Sequence, residues 1–395
     1  MHEVVILSAV RTAIGAFQGV LREVPAPKLG AAALAGACAR AGVAPGALEQ
    51  VIMGCVLPAG QGQAPARQAA FGAGCSPSTG AVTLNKMCGS AMRAVMDAAN
   101  ALRAGEYALV AAGGMESMTQ APYLLPGARE GQRLGHGKLL DSMIFDGLWD
   151  VYRDVHMGNC AEICARHFGF TREAQDEFAR ESYRRARASI ESGLSAAEIV
   201  PVEVPQRKGP ALSIDRDEEP FKSDLEKMAG LKPAFQKDGT VTAANASKIN
   251  DGAAALVLAT AEHAAKIGVR PIARILAQAS AAQEPEWFTT APVPAIRRAL
   301  ALAGLGVDDI DLFEINEAFA VVAMACRQEL GIPADQLNVR GGAVAYGHPI
   351  GASGARILAT LLAALEQRGG RYGCAGICIG GGEATALVVE RLAAS

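Results

Sequence analysis

CGSAMRAVMDAANAL, Cys88 to Leu102, leads through an apolar strand to GGMES at Gly113 to Ser117. IGASGARILATLLAAL, Ile350 to Leu365, leads through a second apolar strand to GGGEA at Gly380 to Ala384. Each stretch is a turn of small residues, a helix, a strand, then glycines and a glutamate, in one order. Gly113-Gly114-Met115-Glu116 therefore corresponds in kind to Gly381-Gly382-Glu383. A repeat this widely spaced is no solenoid and reads as a duplicated domain. Chance likeness between Ala- and Gly-rich segments is the alternative.

The same rhythm extends outward from both stretches. Val4 to Ser8 is a short apolar, β-branched run that suits a buried strand. Leu29 to Ala41 is Ala-rich, lacks Pro and predicts a helix, and Val51 to Leu57 predicts a strand. Ser90 to Arg103 is helical, with Met92, Val95, Met96 and Ala99 on one face, and Tyr107 to Ala112 follows as a strand. In the second half, Ala253 to Thr260 is a strand, Val293 to Ala303 a helix, Leu312 to Ile315 a strand and Ala318 to Leu330 a helix. Strands alternating with helices predict βαβ units and a mostly parallel sheet with covered faces.

Pro122 to Ser247 breaks the rhythm. It is richer in charge and holds one strongly polar helix, about Thr171 to Ser192, with Thr171 as N-cap and Glu173 in its first turn. A Pro- and charge-rich loop, Pro201 to Pro233, follows. The segment reads as a subdomain inserted on the surface of an α/β core. The expected division is 1–121 with 248–270 for the first half, 122–247 for the insert, and 271–395 for the second half.

The bulk numbers agree with that plan. At roughly 150 residues per domain, 395 residues make two or three domains. Half of them are hydrophobic, which suits a large buried core. A formal net charge of -3 provides no basic field for nucleic acid, so an anionic substrate must be held by local groups. Nine cysteines, an odd count with no CxxC pair and no zinc spacing, argue against a disulfide framework or a structural metal. Most of the nine, including the spaced pairs Cys160/Cys164 and Cys374/Cys378, read as small buried hydrophobes in a reducing compartment. MHEVVILSAVRT reads as a strand and not a signal peptide, no apolar run reaches membrane-spanning length, and the ending RLAAS carries no readable address. A soluble cytoplasmic protein is the expectation.

Four places carry candidate chemistry. Cys88 in NKMCGSAM stands at the mouth of a predicted helix, where the positive end of the dipole should lower its pKa. The alternative is a buried structural thiol. In GHPIGASGAR, Gly347 to Arg356, the P-loop and dinucleotide spacings fail. What remains is His348, restrained by Pro349 and left open to a ligand by Gly347. Cys378 in CAGICIGGGEA ends an apolar strand, where α/β folds place their sites, and opens a run of Gly whose N–H groups can face an oxyanion. Asn316 in NEAFA lies at another strand end, with an ordinary helix N-cap as its alternative. Two thiols, one imidazole and one amide on strand-to-helix turns suit covalent acyl transfer and proton abstraction beside a carbonyl.

NKMCGSAM, GGMESM, TVTAANASKINDGAAAL, NEAFA, GGAVAYGHPIGASGAR and CIGGGEA, in that order, resemble the thiolase family. The resemblance spans nearly the whole chain, from SAVRTAIGAFQG at Ser8 to CIGGGEA. It implies an α/β/α/β/α fold of two similar halves with an inserted loop domain that binds coenzyme A. It implies Cys88 as the acylated nucleophile, His348 as the base that deprotonates it and helps hold the thioester oxygen, and Cys378 as acid/base at the substrate carbon. Asn316 would position a water in one oxyanion hole, and the N–H groups of Cys88 and Gly380 would form the other. His156, Met157, Phe235, Ala246, Ser247, Ala318 and Phe319 would line the tunnel for the pantetheine arm and acyl group. Lys222 is the choice for the phosphates of coenzyme A.

The implied reaction is reversible condensation of two acetyl-CoA to acetoacetyl-CoA and CoA through acetyl-Cys88. Coenzyme A is then substrate and product, and no cofactor or metal is needed. A degradative ketoacyl-CoA thiolase of broader chain length is the alternative. Ketoacyl synthases, also similar, lack the second Cys of CIGGG. A silent binding subunit would not need the intact set of four, and a dinucleotide oxidoreductase fails on glycine spacing. Tyr123 to Met143, with Arg129, Arg133, His136 and Lys138 among glycines, resembles the loop that joins dimers into tetramers in short-chain thiolases. A solvated basic loop is its alternative. Ala91, Lys248, Arg340 and Tyr346 depart from the usual family pattern. Ala91 is expected at the pocket floor, and Lys248 and Tyr346 near the acyl and pantetheine fit.

Overall fold

The structure, a computed structural model, describes residues 2–392. Met1 and the last three residues of the RLAAS ending, and with them the outer limits of both halves, lie outside the described residues. Five strands build the first half: β1 (Val4–Thr12), β2 (Gln50–Gly54), β3 (Gly80–Leu84), β4 (Leu109–Ser117) and β5 (Asn250–Thr260). Their order in the sheet is β3-β2-β4-β5-β1. Four build the second: β6 (Ala273–Ala282), β7 (Leu312–Ile315), β8 (Tyr372–Ile379) and β9 (Glu383–Arg391), ordered β7-β8-β9-β6. At the outer edge of β7, a single parallel bridge from Phe313 to Leu337 stands where β3 stands in the first half. The two halves thus share one strand order, as the duplicated sequence predicts. β1 and β6 pair antiparallel, Val5 opposite Arg274, and fuse the halves into one sheet.

The sheet is mixed, which corrects the expectation of a mostly parallel one. Only β2 with β3, β2 with β4, and β7 with β8 run parallel among these nine strands. The reason lies after β4 and β8. Gly381 and Gly382, with φ of 91° and 81°, turn β8 directly back into the antiparallel β9. In the first half the whole insert occupies that corner, between β4 and its antiparallel neighbour β5.

The two Gly-Gly pairs therefore do different work. Gly113 and Gly114 lie inside β4, so the strand runs past the predicted Ala112 to Ser117. A Cβ on Gly114 would sit 2.0 Å from the Gly351 carbonyl oxygen, so glycine is needed there for close approach.

Helices α1 (Ala26–Ala41) and α2 (Pro65–Gly72) cover the outer face of the first half. Helix α3 (Ser90–Ala104) lies on its inner face. In the insert, α4 (Met157–Phe168) packs on the second half, and α5 (Arg172–Glu191) starts at Thr171, whose hydroxyl accepts the Ala174 N–H. In the second half, α6 (Pro292–Ala303) and α7 (Ala320–Leu330) cover the outer face, and α8 (Ser353–Arg368) joins α3 inside. The layers run α/β/α/β/α. The middle layer needs small residues: a Cβ on Gly354 of α8 would meet the Met92 backbone nitrogen of α3 at 2.4 Å.

The insert is stitched to the core. Ile199–Val200 adds a short parallel strand beside Arg11 and Thr12 of β1. Buried Arg11 pairs with Glu198 at 2.9 Å and Asp217 at 2.7 Å. Removing Arg11 would leave two buried carboxylates without their cation, a loss of about 3–5 kcal/mol.

Candidate active site

A cavity of about 970 Å³ opens between the insert and the C-terminal ends of the strands. Cys88, His348 and Gly380 line it together with His156, Met157, Phe235, Ala246, Ser247, Ala318 and Phe319. Asn316 and Cys378 are fully buried and do not line it. The structure thus brings residues more than 200 positions apart into one wall.

Cys88 stands on a strained turn. Met87 before it has φ of 48°, a left-handed conformation that costs a non-glycine residue about 1–3 kcal/mol. Ser90 holds the turn: its hydroxyl accepts the Lys86 N–H at 2.8 Å and donates to the Met87 carbonyl at 2.6 Å. Of the nine cysteines, Cys88 alone is partly exposed. The N–H groups of Gly380 and of Cys88 itself both reach its sulfur. They come from opposite halves of the fold and converge on that sulfur. The thiol is nevertheless pushed up to about 11, chiefly by burial and further by the nearby charge of Glu116. This corrects the expectation of a lowered pKa. Apolar surroundings outweigh the helix end and the two N–H groups.

His348 is buried at the end of the Gly347 turn. Its backbone N–H donates to Asn250 Oδ1 at 3.0 Å, and its Nδ1 lies 2.6 Å from Ser353 Oγ. Burial, with a smaller contribution from the Arg356 charge, pulls the imidazole down to about 3. His348 is therefore neutral at any working pH. Its Nε2 lies 3.5 Å from Asn316 Nδ2. Asn316 does not cap the following helix, which begins at Ala320 with Phe319 in the capping position. Its amide serves His348 instead, in direct contact.

Cys378 is the next-to-last residue of β8, two before Gly380. Burial and the neighbouring Cys88 and Cys326 thiols raise its pKa well above the ordinary value. A thiol of that kind is protonated at rest and strongly basic once ionised. Gly89 makes room for this corner, since a Cβ there would meet Ile379 Cδ1 at 2.3 Å.

The sequence did not single out Glu116 or Ser353. Buried Glu116 accepts N–H bonds from Val56 at 2.9 Å, Leu57 at 3.1 Å and Gly351 at 2.9 Å, and so ties the walls around Cys88 together. Burial raises it to about 7 despite those bonds. The one signal for Glu116 was its place after the Gly-Gly pair.

The far wall is aromatic. His156 stacks on Phe235 with centroids 4.7 Å apart, and Phe319 meets Phe235 edge-on at 6.0 Å. Ser247 N–H donates to the Ala318 carbonyl at 3.0 Å, and Ala246 bridges to Phe319, so these two segments form one surface. The Met157 methyl lies 3.7 Å from where a Gly380 Cβ would stand, which puts it beside Cys88. Lys222 does not line the cavity; its ammonium pairs with Glu218 at 2.6 Å, one helical turn away. Among the described residues lining the cavity, Lys248 is the one Lys or Arg, and its ammonium donates to the Ala246 and Val344 carbonyls at 2.8 and 3.1 Å. Ala91 packs against Gly114 in the middle layer, away from the pocket floor. Tyr346 is buried outside the cavity and donates to the Arg340 carbonyl at 2.8 Å. Arg340 donates to the Leu194 and Ala363 carbonyls.

Tyr123–Leu124 pairs with Leu140–Asp141 as a small hairpin whose intervening arm is exposed, Leu134 completely so. No helix of the described residues is long and apolar enough to cross a membrane. No group of three or more His, Cys, Asp and Glu among the described residues could hold a metal ion.

Residues 4–262 match the thiolase N-terminal domain model, and residues 269–391 match the thiolase C-terminal domain model. The chain belongs to the thiolase family. An acetyl-CoA acetyltransferase of Cupriavidus necator is 53% identical to this thiolase over 392 residues, 99% of this chain and 100% of the relative. An acetyl-CoA acetyltransferase of Pseudomonas aeruginosa is 51% identical, with 99% and 100% covered. The crystal structure of the Bacillus anthracis acetyl-CoA acetyltransferase superposes on this thiolase with a TM-score of 0.97 at 41% identity, covering 99% of each chain. A thiolase from Ascaris suum, crystallised in complex with coenzyme A, superposes with a TM-score of 0.94 at 43% identity, covering 99% of this chain and 100% of that one.

Proposed function

We propose that this thiolase is an acetyl-CoA C-acetyltransferase that joins two acetyl-CoA into acetoacetyl-CoA and CoA, reversibly, through an acetyl thioester on Cys88. One observation carries the reading. A thiol with two N–H groups at its sulfur lines one cavity with a neutral imidazole and lies near a second, high-pKa thiol.

In the first half-reaction His348 Nε2 takes the Cys88 proton as sulfur attacks the acetyl carbon. The Cys88 and Gly380 N–H groups hold the developing oxyanion, and Cys378 gives its proton to the departing CoA sulfur. Cys378 is then a thiolate and His348 an imidazolium. In the second half-reaction the Cys378 thiolate removes a methyl proton from the next acetyl-CoA. The enolate oxygen is held on the side of His348 and Asn316. Its carbon attacks acetyl-Cys88, and the imidazolium returns a proton to the released Cys88 sulfur. Atoms and protons balance without a metal or redox group.

Coenzyme A is substrate and product, with its pantetheine arm along Ser247, Ala246 and Ala318 and its thioester end against Met157 and Phe319. Met157 and Phe319 at that end favour short acyl groups by overlap. The exposed 123–143 hairpin suits a homotetramer built from two dimers, and the reduced thiols suit the cytoplasm. Thiolysis rates against 3-ketoacyl-CoA chain length test the substrate: preference for the four-carbon substrate supports the reading, and faster turnover of long chains defeats it. Light scattering that finds only dimers defeats the tetramer.

A further inference from the structure

Ser353 and Arg356 stand three residues apart on the first turn of α8, so they share a face. That face meets the two active-site groups whose hydrogen-bonding sense is ambiguous, an imidazole with two tautomers and an amide with two edges.

Ser353 has one hydroxyl proton, and it donates that proton to the Pro349 carbonyl at 3.0 Å. Toward His348 Nδ1, at 2.6 Å, Ser353 Oγ is then an acceptor. Nδ1 must carry the imidazole proton, and Nε2 keeps the lone pair. Arg356 resolves the amide in the same way. A guanidinium has donors only. Its Nη2 lies 3.4 Å from Asn316 Oδ1, so the oxygen edge of Asn316 faces Arg356 and the NH2 edge faces His348 Nε2. Arg356 is buried and lies 3.8 Å from buried Glu314, whose carboxylate oxygens find no hydrogen bond. Nε and Nη1 of Arg356 find none either, so the Asn316 contact is this guanidinium's one hydrogen bond among the described residues.

We infer that Ser353 and Arg356 are positioning residues: Ser353 fixes His348 as the Nδ1–H tautomer, and Arg356 fixes the Asn316 amide with its NH2 toward His348 Nε2, the side on which the proposed mechanism holds the enolate oxygen. The inference rests on the proposed roles of His348 and Asn316. It extends them to a helix turn that does not line the cavity.

The test uses the full-length enzyme and two readouts that a packing role would not move. The first is 15N NMR of histidine-labelled protein, with the His348 signals assigned from a His348→Asn variant; six histidines keep the spectrum simple. The native enzyme should show a protonated Nδ1 and a bare Nε2, and Ser353→Ala should populate the other tautomer. With it kcat should fall about 100-fold, the low end of what a general base supplies, at a KM within about twofold. The second readout is solvent-deuterium exchange into the methyl group of acetyl-CoA, which reports enolate formation alone. In Arg356→Met with Glu314→Gln, which leaves no lone buried charge, exchange should fall at least about tenfold. Acetylation of Cys88, read by mass spectrometry, should stay within about threefold, and Arg356→Lys should restore part of the exchange. An Nε2–H tautomer in the native enzyme overturns the inference. So does a Ser353→Ala enzyme that loses activity with its tautomer unchanged, or keeps both. Equal losses of exchange and of acetylation in the Arg356 variant overturn the Arg356 role. Full activity of His348→Ala and Asn316→Ala would instead bring down the underlying mechanism, and the inference with it.

Discussion

Alkylation of Cys88 by iodoacetamide across pH separates the two physical accounts of this nucleophile. Helix-end activation predicts a thiolate near neutral pH and a rate that levels off early. The structure predicts the reverse, because burial holds the thiol at about 11 against an ordinary 9. Two pKa units are about 2.7 kcal/mol against ionisation. At pH 8 about one Cys88 in a thousand is ionised, roughly a hundredfold fewer than for an ordinary thiol. The free enzyme should therefore alkylate about ten times faster for each unit of pH from 7 to 10. The other eight cysteines are buried, so peptide mass spectrometry should find Cys88 modified first. The same number is why the proposed mechanism has His348 take the Cys88 proton as the bond to the acetyl carbon forms. His348 stays neutral throughout that range, since its own pKa is about 3, and adds no step to the profile. A rate that levels off by pH 8.5 would refute the reasoning and restore the helix end as the dominant influence.

Replacing Cys378 with Ser should leave acetylation of Cys88 by acetyl-CoA detectable while condensation falls at least about 1000-fold, since a hydroxyl is a far poorer proton carrier; unimpaired condensation removes Cys378 from the mechanism. Glu116→Gln should flatten the pH dependence of thermal stability. Burial raises the folded carboxyl to about 7 from 4.5, so its contribution is full below pH 4.5 and fades as pH rises through 7, by about 3 kcal/mol in all. Melting temperatures measured from pH 4.5 to 8 should show the wild type losing ground to the variant across that window, and parallel curves would count against the shift. Met157→Ala should raise kcat/KM for a six-carbon ketoacyl-CoA relative to the four-carbon one by about tenfold, the scale of a methylene or two in an apolar pocket; an unchanged ratio would mean that Met157 is not at the acyl end.

The chain by itself determined the duplicated rhythm of the fold, and it pointed to Cys88, His348, Cys378 and Asn316 as the side chains to watch. Helix, turn and strand are local matters, and a repeat of small-residue turn, helix, strand and Gly-Gly is legible because each part depends on neighbours in sequence. What the duplicated motif could not convey is what the glycines are for. Gly114 and Gly381 read alike, yet one lies mid-strand under the Gly351 carbonyl and the other makes a tight turn. Only the packing of the middle layer distinguishes them. The same holds for charge state. Cys88 at a helix mouth reads as activated, and Lys222 in a basic loop reads as a phosphate ligand. Burial reverses the first, and a carboxylate one turn away engages the second. Proton affinity depends on how much water and which charges surround a group in space, and around Cys88 those come from residues such as Glu116 and Gly380, outside its own turn and helix. Tertiary structure alone decided that an arginine on α8 would meet Asn316, forty positions earlier at the end of β7, because that contact exists only once α8 packs against the sheet of the second half.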